Sequence, residues 1–402
     1  MAQVCCHFCS GCQGSSCDGM DTDSSEDGEG PTAPAIRIPL GHRPVLFALP
    51  GSDELATQAL AYLGWQRGKC NFSLFKNGEV SAKVEESVTS HDVFVLCVRD
   101  DRVGEPNRAI MQLLLFLAAL RGESPYRITV ILPCLDYSRQ DRRLVAGEAI
   151  PPRLLLRCMK TAGADRFLTA DLHNEAEVAF APSNTVFDEL SCTMYLADFI
   201  RSNVPGFDPD KTVVCATNGG GMTETRHMAG ELRTGFMMAD RMRPQGGGKG
   251  KVKIIASRSD HAEAIIVVDD MFDTCGTLVE VCKALHDFAP ASKIYGLATH
   301  GYFSGEAAVR IKELVDTCNV EWVAVTNSVA QTATTERFSA MGLEGRLKVV
   351  DISRLLAGAA MRIHLGASVN LPKFRSIGPG EHDPLLQTSS GRDLHLARQT
   401  SS

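Results

Sequence analysis

The chain has 402 residues, 44% of them hydrophobic, and a formal net charge of -7. That length accommodates two domains with full cores plus tails. The acidic balance excludes a general nucleic-acid binder, which needs a basic face against phosphates. The longest apolar run, near Leu113 to Leu120, is too short to cross a bilayer, so no membrane span is expected. No basic segment leads into an apolar one, so no signal peptide is expected either. Of the 14 cysteines, most are scattered singly and read as small buried apolar residues in a reducing, cytoplasmic setting. Cys5, Cys6, Cys9, Cys12 and Cys17 stand apart as a cluster. It suits zinc, acyl chains or a redox-labile tail.

Residues 1–35 read as a disordered tail, because the cysteines are followed by an acidic stretch poor in apolar residues, DGMDTDSSEDGEG. The globular part begins near Pro44 with the strand VLFALP. Asp53 to Leu63 has helical spacing and Gly64 closes it. Cys70 to Phe75 is a strand running into the turn Phe75-Lys76-Asn77-Gly78-Glu79, and Asp92 to Val98 is a strand. Ala109 to Leu120 is a helix, apolar nearly all round, as expected of one buried between layers. Arg127 to Leu132 is a strand, Pro152 to Ala162 a helix, and Phe167 to Thr169 a strand ending in Asp171-Leu172-His173.

The alternation then restarts, with a helix over Ser191 to Arg201 and a strand over Thr212 to Ala216. Asn218-Gly219-Gly220-Gly221 is a tight loop before a helix to Leu232, and Gly235 to Met238 is a short strand. Arg241 to Lys251, RMRPQGGGKGK, is a glycine-rich mobile loop. Val252 to Ile255, Ala264 to Val268, Ile294 to Thr299, Trp322 to Thr326 and Leu347 to Asp351 are strands, and Ser353 to Arg362 is a helix. Beyond about Phe374 the chain is polar, and 376–402 reads as a second disordered tail. Strands alternating with helices imply mainly parallel sheets covered by helices.

The stretch AIIVVDDMFDTCGTL, Ala264 to Leu278, carries the chemistry. A β-branched apolar strand ends in Asp269 and Asp270. Asp273, Thr274, Cys275, Gly276 and Thr277 then turn the chain into a helical pattern, Leu278 to Phe288. Turn amides, hydroxyls and a helix N-terminus favour a phosphate. The acids would repel it, so they are assigned to ribose hydroxyls beside it. The alternative is an N-capped helix after an ordinary strand. Tyr137 to Arg143 places arginines just after a strand, where phosphates collect at the mouth of an open sheet; a solvated basic loop is the alternative. On the residues alone, Phe75 to Glu79 is only a turn and His173 only a histidine at a strand end.

D-D-M-x-D-T-C-G-T resembles the ribose-phosphate signature of the type I phosphoribosyltransferase fold, in the form found in ribose-phosphate diphosphokinases (phosphoribosyl pyrophosphate synthetases). Four further motifs follow in that family's order: Phe75 to Glu79, the Y-x-R-Q-D loop, D-L-H, and T-H-G-x-F-S-G at Thr299 to Gly305. The resemblance covers about Pro44 to Pro372. It implies two tandem phosphoribosyltransferase-type α/β domains, each a mainly parallel sheet flanked by helices: 44–185 with the ATP motifs and 186–372 with the ribose 5-phosphate site.

The resemblance also implies roles. Phe75, Asn77, Glu79, Arg139 and Gln140 bind ATP, with Asp141 supporting the loop. Asp269, Asp270, Asp273, Thr274, Cys275, Gly276 and Thr277 bind ribose 5-phosphate. His173 holds the magnesium that travels with ATP, and Asn218 stands at a second metal position. Arg241 and Arg243 fall on the catalytic loop. The implied reaction moves the diphosphoryl unit of ATP to ribose 5-phosphate in a homo-oligomer, or a hetero-oligomer with family members. Three departures bear on this. The family's D-x-G-G appears as Asn218-Gly219-Gly220-Gly221, with Thr223-Glu224 where the family has Lys-Arg. The catalytic lysine is replaced by Arg241. LVAGEAIPPR lacks the polar pattern near the family's allosteric nucleotide site. A non-catalytic regulatory subunit of the same family and a base phosphoribosyltransferase are the alternatives.

Overall fold

The computed structural model describes residues 41–99, 106–242, 251–256 and 262–369. The expected tails, the cysteine cluster, Arg243 and most of the glycine-rich loop lie outside the described residues. Among the described residues no helix is long and apolar enough to cross a membrane.

The first half is built from β1 (Pro44–Ala48), α1 (Asp53–Leu63), β2 (Gln66–Arg67), β3 (Cys70–Leu74), β4 (Val80–Val84), β5 (Asp92–Leu96), α2 (Pro106–Gly122), β6 (Arg127–Leu132), α3 (Pro151–Ala162), β7 (Arg166–Ala170) and β8 (Val186–Leu190). The second half has α4 (Thr193–Asn203), β9 (Thr212–Ala216), α5 (Met222–Leu232), β10 (Gly235–Met242), β11 (Lys251–Ala256), β12 (Ala264–Phe272), α6 (Gly276–Phe288), β13 (Lys293–Gly301), α7 (Ala307–Thr317), β14 (Val320–Thr326), α8 (Thr332–Ala340), β15 (Leu347–Val350) and α9 (Ser353–His364). One sheet runs β2-β1-β5-β6-β7-β8, parallel throughout. The other runs β11-β10-β9-β12-β13-β14-β15 and is parallel except for β11 at its edge. The antiparallel hairpin β3–β4 packs on α2.

Side chains alternate across a strand, so each central strand feeds two cores. In β12, Ile265 and Val267 pack with α6 and α7, whereas Ala264, Ile266 and Val268 face the opposite way. In β5, Val93 and Val95 meet α2, while Phe94 and Leu96 face the opposite way. The inward faces of both sheets contribute to one cluster, filled by α1, α4, α5 and α9. The two sheets thus share a middle layer of helices, with an outer layer on each side.

Local signals account for several ends. Gly64 closes α1 at φ 64°, where a glycine carries no Cβ penalty. Other expectations need correction. The boundary placed at 185/186 precedes β8, which pairs with β7 in the first sheet. The second half starts at α4, which packs on α5. Helix α2 is not buried all round. Gln112, Leu113, Phe116, Leu117 and Leu120 are covered, but Met111 is 50% exposed and Leu115 40%, because one layer covers one face only. Part of the expected loop after Met238 is strand: β10 continues to Met242, with Asp240 in register with Lys253 of β11. Helices α7 and α8 have no counterpart in the sequence reading.

At the amino ends of the first sheet, Asp92, 1% exposed, accepts from Arg127 Nε at 3.0 Å and Nη2 at 2.6 Å. It also pairs with His364 Nδ1 at 2.9 Å. Arg127 Nη2 donates onward to the Ile363 carbonyl at 2.9 Å. This charged group staples the last helix to the first sheet. Removing the acid strands a cation in a largely dry site. Asp92→Ala should therefore lower unfolding free energy by about 3 kcal/mol, read from urea denaturation; an unchanged midpoint would show the staple adds nothing.

Candidate functional site

The carboxyl end of β12 carries Asp269 and Asp270, partly buried by neighbouring strand ends. The Asp270 amide donates to Asp269 Oδ1 at 3.1 Å. Burial, then repulsion from Asp270, raises the Asp269 carboxyl to about 7. For Asp270, burial pushes upward, but the hydrogen bond and charge of His173 outweigh it and hold that acid below its usual range. The chain then turns through Asp273 to Cys275. Cys275, at φ 58°, precedes α6 without a side-chain cap, so the first amides of α6 lack a side-chain acceptor. Thr274 and Thr277 are exposed at this turn. Arg310 Nη1 donates to the Thr274 carbonyl at 2.6 Å, bringing a cation to the same corner.

The first sheet presents its own carboxyl ends here. His173 Nδ1 donates to Asp270 Oδ2 at 2.5 Å. That hydrogen bond, against the opposing effect of burial, raises the imidazole pKa. Arg139 lies in a 3-10 turn, Ser138–Gln140, after β6, and its Nη1 donates to Asp273 Oδ2 at 2.6 Å. Ser304 Oγ donates to the other oxygen of Asp273. Residues from both sequence groups are thus in direct contact: Arg139 and His173 from the nucleotide set, Asp270 and Asp273 from the sugar-phosphate set.

A layer behind these contacts was not foreseen. Thr299 Oγ1 donates to Asp171 Oδ2 at 2.6 Å. Buried His300 donates from Nε2 to the Asp171 carbonyl at 2.9 Å, with Nδ1 2.9 Å from Ser328 Oγ. Ser328 Oγ donates to the Thr299 carbonyl at 3.1 Å, which leaves it to accept from Nδ1. Both ring nitrogens then carry protons. Burial opposes this charge, but Cys134 and Asp171 raise His300 to about 9. Asp171 is held at φ 33°, so T-H-G fixes the strained turn that aims His173. Tyr302 joins the same seam, with its hydroxyl 2.9 Å from Cys134 Sγ and Arg99 4.6 Å over its ring. The resemblance assigns this motif no site role; its partners are distant in sequence, so no local signal marks them.

Other expected residues are not drawn in. Phe75 is 59% exposed on the tip of the β3–β4 hairpin. There Asn77 Oδ1 accepts from the Glu79 amide at 3.2 Å, and the described hydrogen bonds of the turn stay within it. Gln140 is exposed beside Arg139, its amide donating to the Tyr137 carbonyl at 2.9 Å. Asn218 Oδ1 accepts from the amides of Gly220 at 2.7 Å and Gly221 at 3.3 Å, so this oxygen is committed to its own loop. Arg241 pairs with Val252 through the β10–β11 ladder, and its side chain lies outside the described atoms.

Among the described residues no group of three or more His, Cys, Asp or Glu could hold a metal ion. Magnesium needs no such cage, because it usually keeps waters and substrate phosphates with one or two protein ligands. His173 can offer one nitrogen ligand: with Nδ1–H on Asp270, Nε2 faces away from that carboxylate and carries a lone pair when the ring is neutral.

Two parallel sheets, helices on their faces, and an acid–threonine corner at the carboxyl ends define a protein of the phosphoribosyltransferase fold class. Residues 44–163 match the N-terminal domain of ribose phosphate pyrophosphokinase, and residues 216–374 the phosphoribosyl synthetase-associated domain. The chain is 30% identical over 326 residues to the ribose-phosphate pyrophosphokinase of Staphylococcus saprophyticus, covering 81% of this chain and 95% of that one. It is 31% identical over 328 residues to ribose-phosphate pyrophosphokinase 2 of Schizosaccharomyces pombe, covering 81% and 96%. The crystal structure of phosphoribosylpyrophosphate synthetase from Mycobacterium smegmatis matches with a TM-score of 0.70 at 28% identity, covering 81% of this chain and 100% of that one. The chain belongs to the ribose-phosphate pyrophosphokinase family.

The His173–Asp270 pair sets a pH dependence. Because the imidazole pKa is raised on folding, the pair adds stability that is full below the unfolded value. That contribution is lost as pH rises through the folded one. Asp270→Asn should return the His173 ring titration, followed by NMR, towards the ordinary histidine range; an unmoved midpoint would show that the contact does not persist in solution.

Proposed function

We propose that this chain is a ribose-phosphate diphosphokinase, moving the β,γ-diphosphoryl unit of ATP onto the anomeric hydroxyl of ribose 5-phosphate. The observation that carries this reading is the direct meeting of the two half-sites, His173 with Asp270 at 2.5 Å and Arg139 with Asp273 at 2.6 Å. A transfer between two bound substrates requires such adjacency, because in-line placement supplies much of the rate.

In this reading Asp269 and Asp270 accept the ribose hydroxyls. The 5-phosphate sits on Thr274, Thr277 and the first amides of α6, with Arg310 nearby. Phe75 stacks on adenine, and Asn77 and Glu79 take polar atoms of the nucleoside. Arg139 leaves Asp273 for the triphosphate, joined by Gln140. The anomeric oxygen then forms a bond to the β-phosphorus, the bridge to the α-phosphate breaks, and AMP leaves with that bridging oxygen. The proton of the anomeric hydroxyl passes to solvent or a nearby carboxylate, and the other product is phosphoribosyl diphosphate. Arg241 and Arg243, on the segment joining β10 and β11, add positive charge over the migrating group. Magnesium, held by His173 and the triphosphate, would supply further charge neutralisation. Self-association and a cytoplasmic setting belong to the same reading.

A second reading has its own observation. Asn218 folds its oxygen onto two glycine amides, and Glu224 follows in the first turn of α5. A loop closed in this way, with an acid beside it, suits a subunit that keeps the sugar-phosphate corner but not turnover.

The purified chain with ATP, magnesium and ribose 5-phosphate should release AMP, followed by chromatography. Absence of turnover across magnesium and manganese series would favour the regulatory subunit. Asn218→Asp should raise turnover or tighten the magnesium dependence, since a carboxylate is the stronger ligand for a hard dication; a fall in both would mean the amide is built into the working loop.

A further inference from the structure

We propose that Glu177 is a positioning residue for the nucleotide half-site: through Ser138 it holds the Arg139–Gln140 turn in place. The inference rests on the nucleotide reading above. Glu177 is fully buried, with 0% exposure. Ser138 Oγ donates to both of its oxygens, at 2.8 Å and 3.1 Å. Ser138 is itself buried and opens the 3-10 turn Ser138–Gln140, while Arg139 and Gln140 are exposed. Glu177 lies in a second 3-10 turn, Glu175–Phe180.

A second tie holds the far side of Arg139 and Gln140. Asn174 Nδ2 donates to Asp141 Oδ2 at 2.7 Å, while Asn174 Oδ1 accepts the Ala176 amide at 3.0 Å. One turn therefore grips the other on both sides of the two residues assigned to ATP. The grip has something to oppose. Tyr137 enters the turn at φ 66°, which is unfavourable for a residue with a side chain and persists only where its surroundings enforce it.

A carboxylate fully removed from water is costly to keep, and here its side-chain hydrogen-bond donor is a neutral hydroxyl. Burial raises its pKa to about 7, against the effect of Ser138. An acid serving packing alone would be replaceable by a hydrocarbon without consequence for ligands. An acid that orients Ser138 would not. Removing Glu177 frees the turn at one end, and Arg139 and Gln140 lose their approach to the triphosphate. The corner at Asp269 to Thr277 hangs from the other sheet and keeps its geometry.

The test uses the full chain and calorimetric titration with two ligands, the unreactive α,β-methylene analogue of ATP with magnesium, and ribose 5-phosphate. Ser138→Ala and Glu177→Leu should each weaken the ATP analogue about five- to tenfold, the effect of one buried hydrogen bond. Ribose 5-phosphate affinity should stay unchanged. The double variant should be no weaker than either single one, since both break the same link. Glu177→Gln, which keeps an acceptor for Ser138, should recover most of the loss. If Glu177→Leu fails to fold, Ser138→Ala decides. Wild-type affinity for the analogue in Ser138→Ala, or equal losses for both ligands, would overturn the inference alone. Failure of the unaltered chain to bind the analogue would overturn the nucleotide reading and this inference with it.

Discussion

The structure depends on charge balance across one seam. The carboxyl ends of two parallel sheets meet there, and both are rich in acids: Asp171 and Asp136 on one side, Asp269, Asp270 and Asp273 on the other. Left alone, these would repel one another and repel any phosphate. The fold answers with cations placed singly. His173 takes Asp270 and Arg139 takes Asp273. Arg99 takes Asp136 at 3.1 Å. His300, buried with both ring protons committed, lies beside Asp171. Two of these cations, His173 and Arg139, are partly exposed and able to exchange a carboxylate for a ligand. Of the other two, His300 is buried, and Arg99 is fixed between Asp136 and the Tyr302 ring. On the proposed function, this division separates a frame that stays fixed from contacts that can be traded for substrate.

Much of this was legible before the structure. Branched apolar runs such as Ala264 to Val268 and Arg127 to Leu132 announced central strands, since parallel strands are covered on both faces. The acid–threonine corner was legible because its residues are consecutive. What escaped notice had weak local patterns or distant partners. Strand β8, VFDEL, carries two acids; one of them, Asp188, is buried only because Arg166 meets it at 2.5 Å across the strand pair. The ties from Thr299 to Asp171 and from Ser138 to Glu177 span 128 and 39 residues. A serine and a glutamate that far apart give no pattern to read.

The departures from the family pattern also have a physical reading. Asn218 replaces a charged ligand with a neutral amide, and the loop uses that amide to satisfy its own glycine backbone. Glu224 reverses the sign of the charge expected beside that loop. The first change weakens the loop as a ligand for a dication, the second makes it repel a phosphate, and both leave the acid–threonine corner after β12 untouched. On the proposed function, the second half keeps the geometry for a sugar phosphate more fully than the electrostatics for handling a diphosphate.

The middle layer of helices shared by both sheets has a consequence for how the chain comes into being. During synthesis the inward face of the first sheet emerges with α1 on it, but α9, which packs on α1, arrives much later. Until Ser353–His364 leaves the ribosome, apolar surface on α1 and the strands beneath it has no partner, and the Asp92–Arg127 pair lacks His364. Loss of α9 would therefore uncover apolar surface in the first half of the chain as well as in the second.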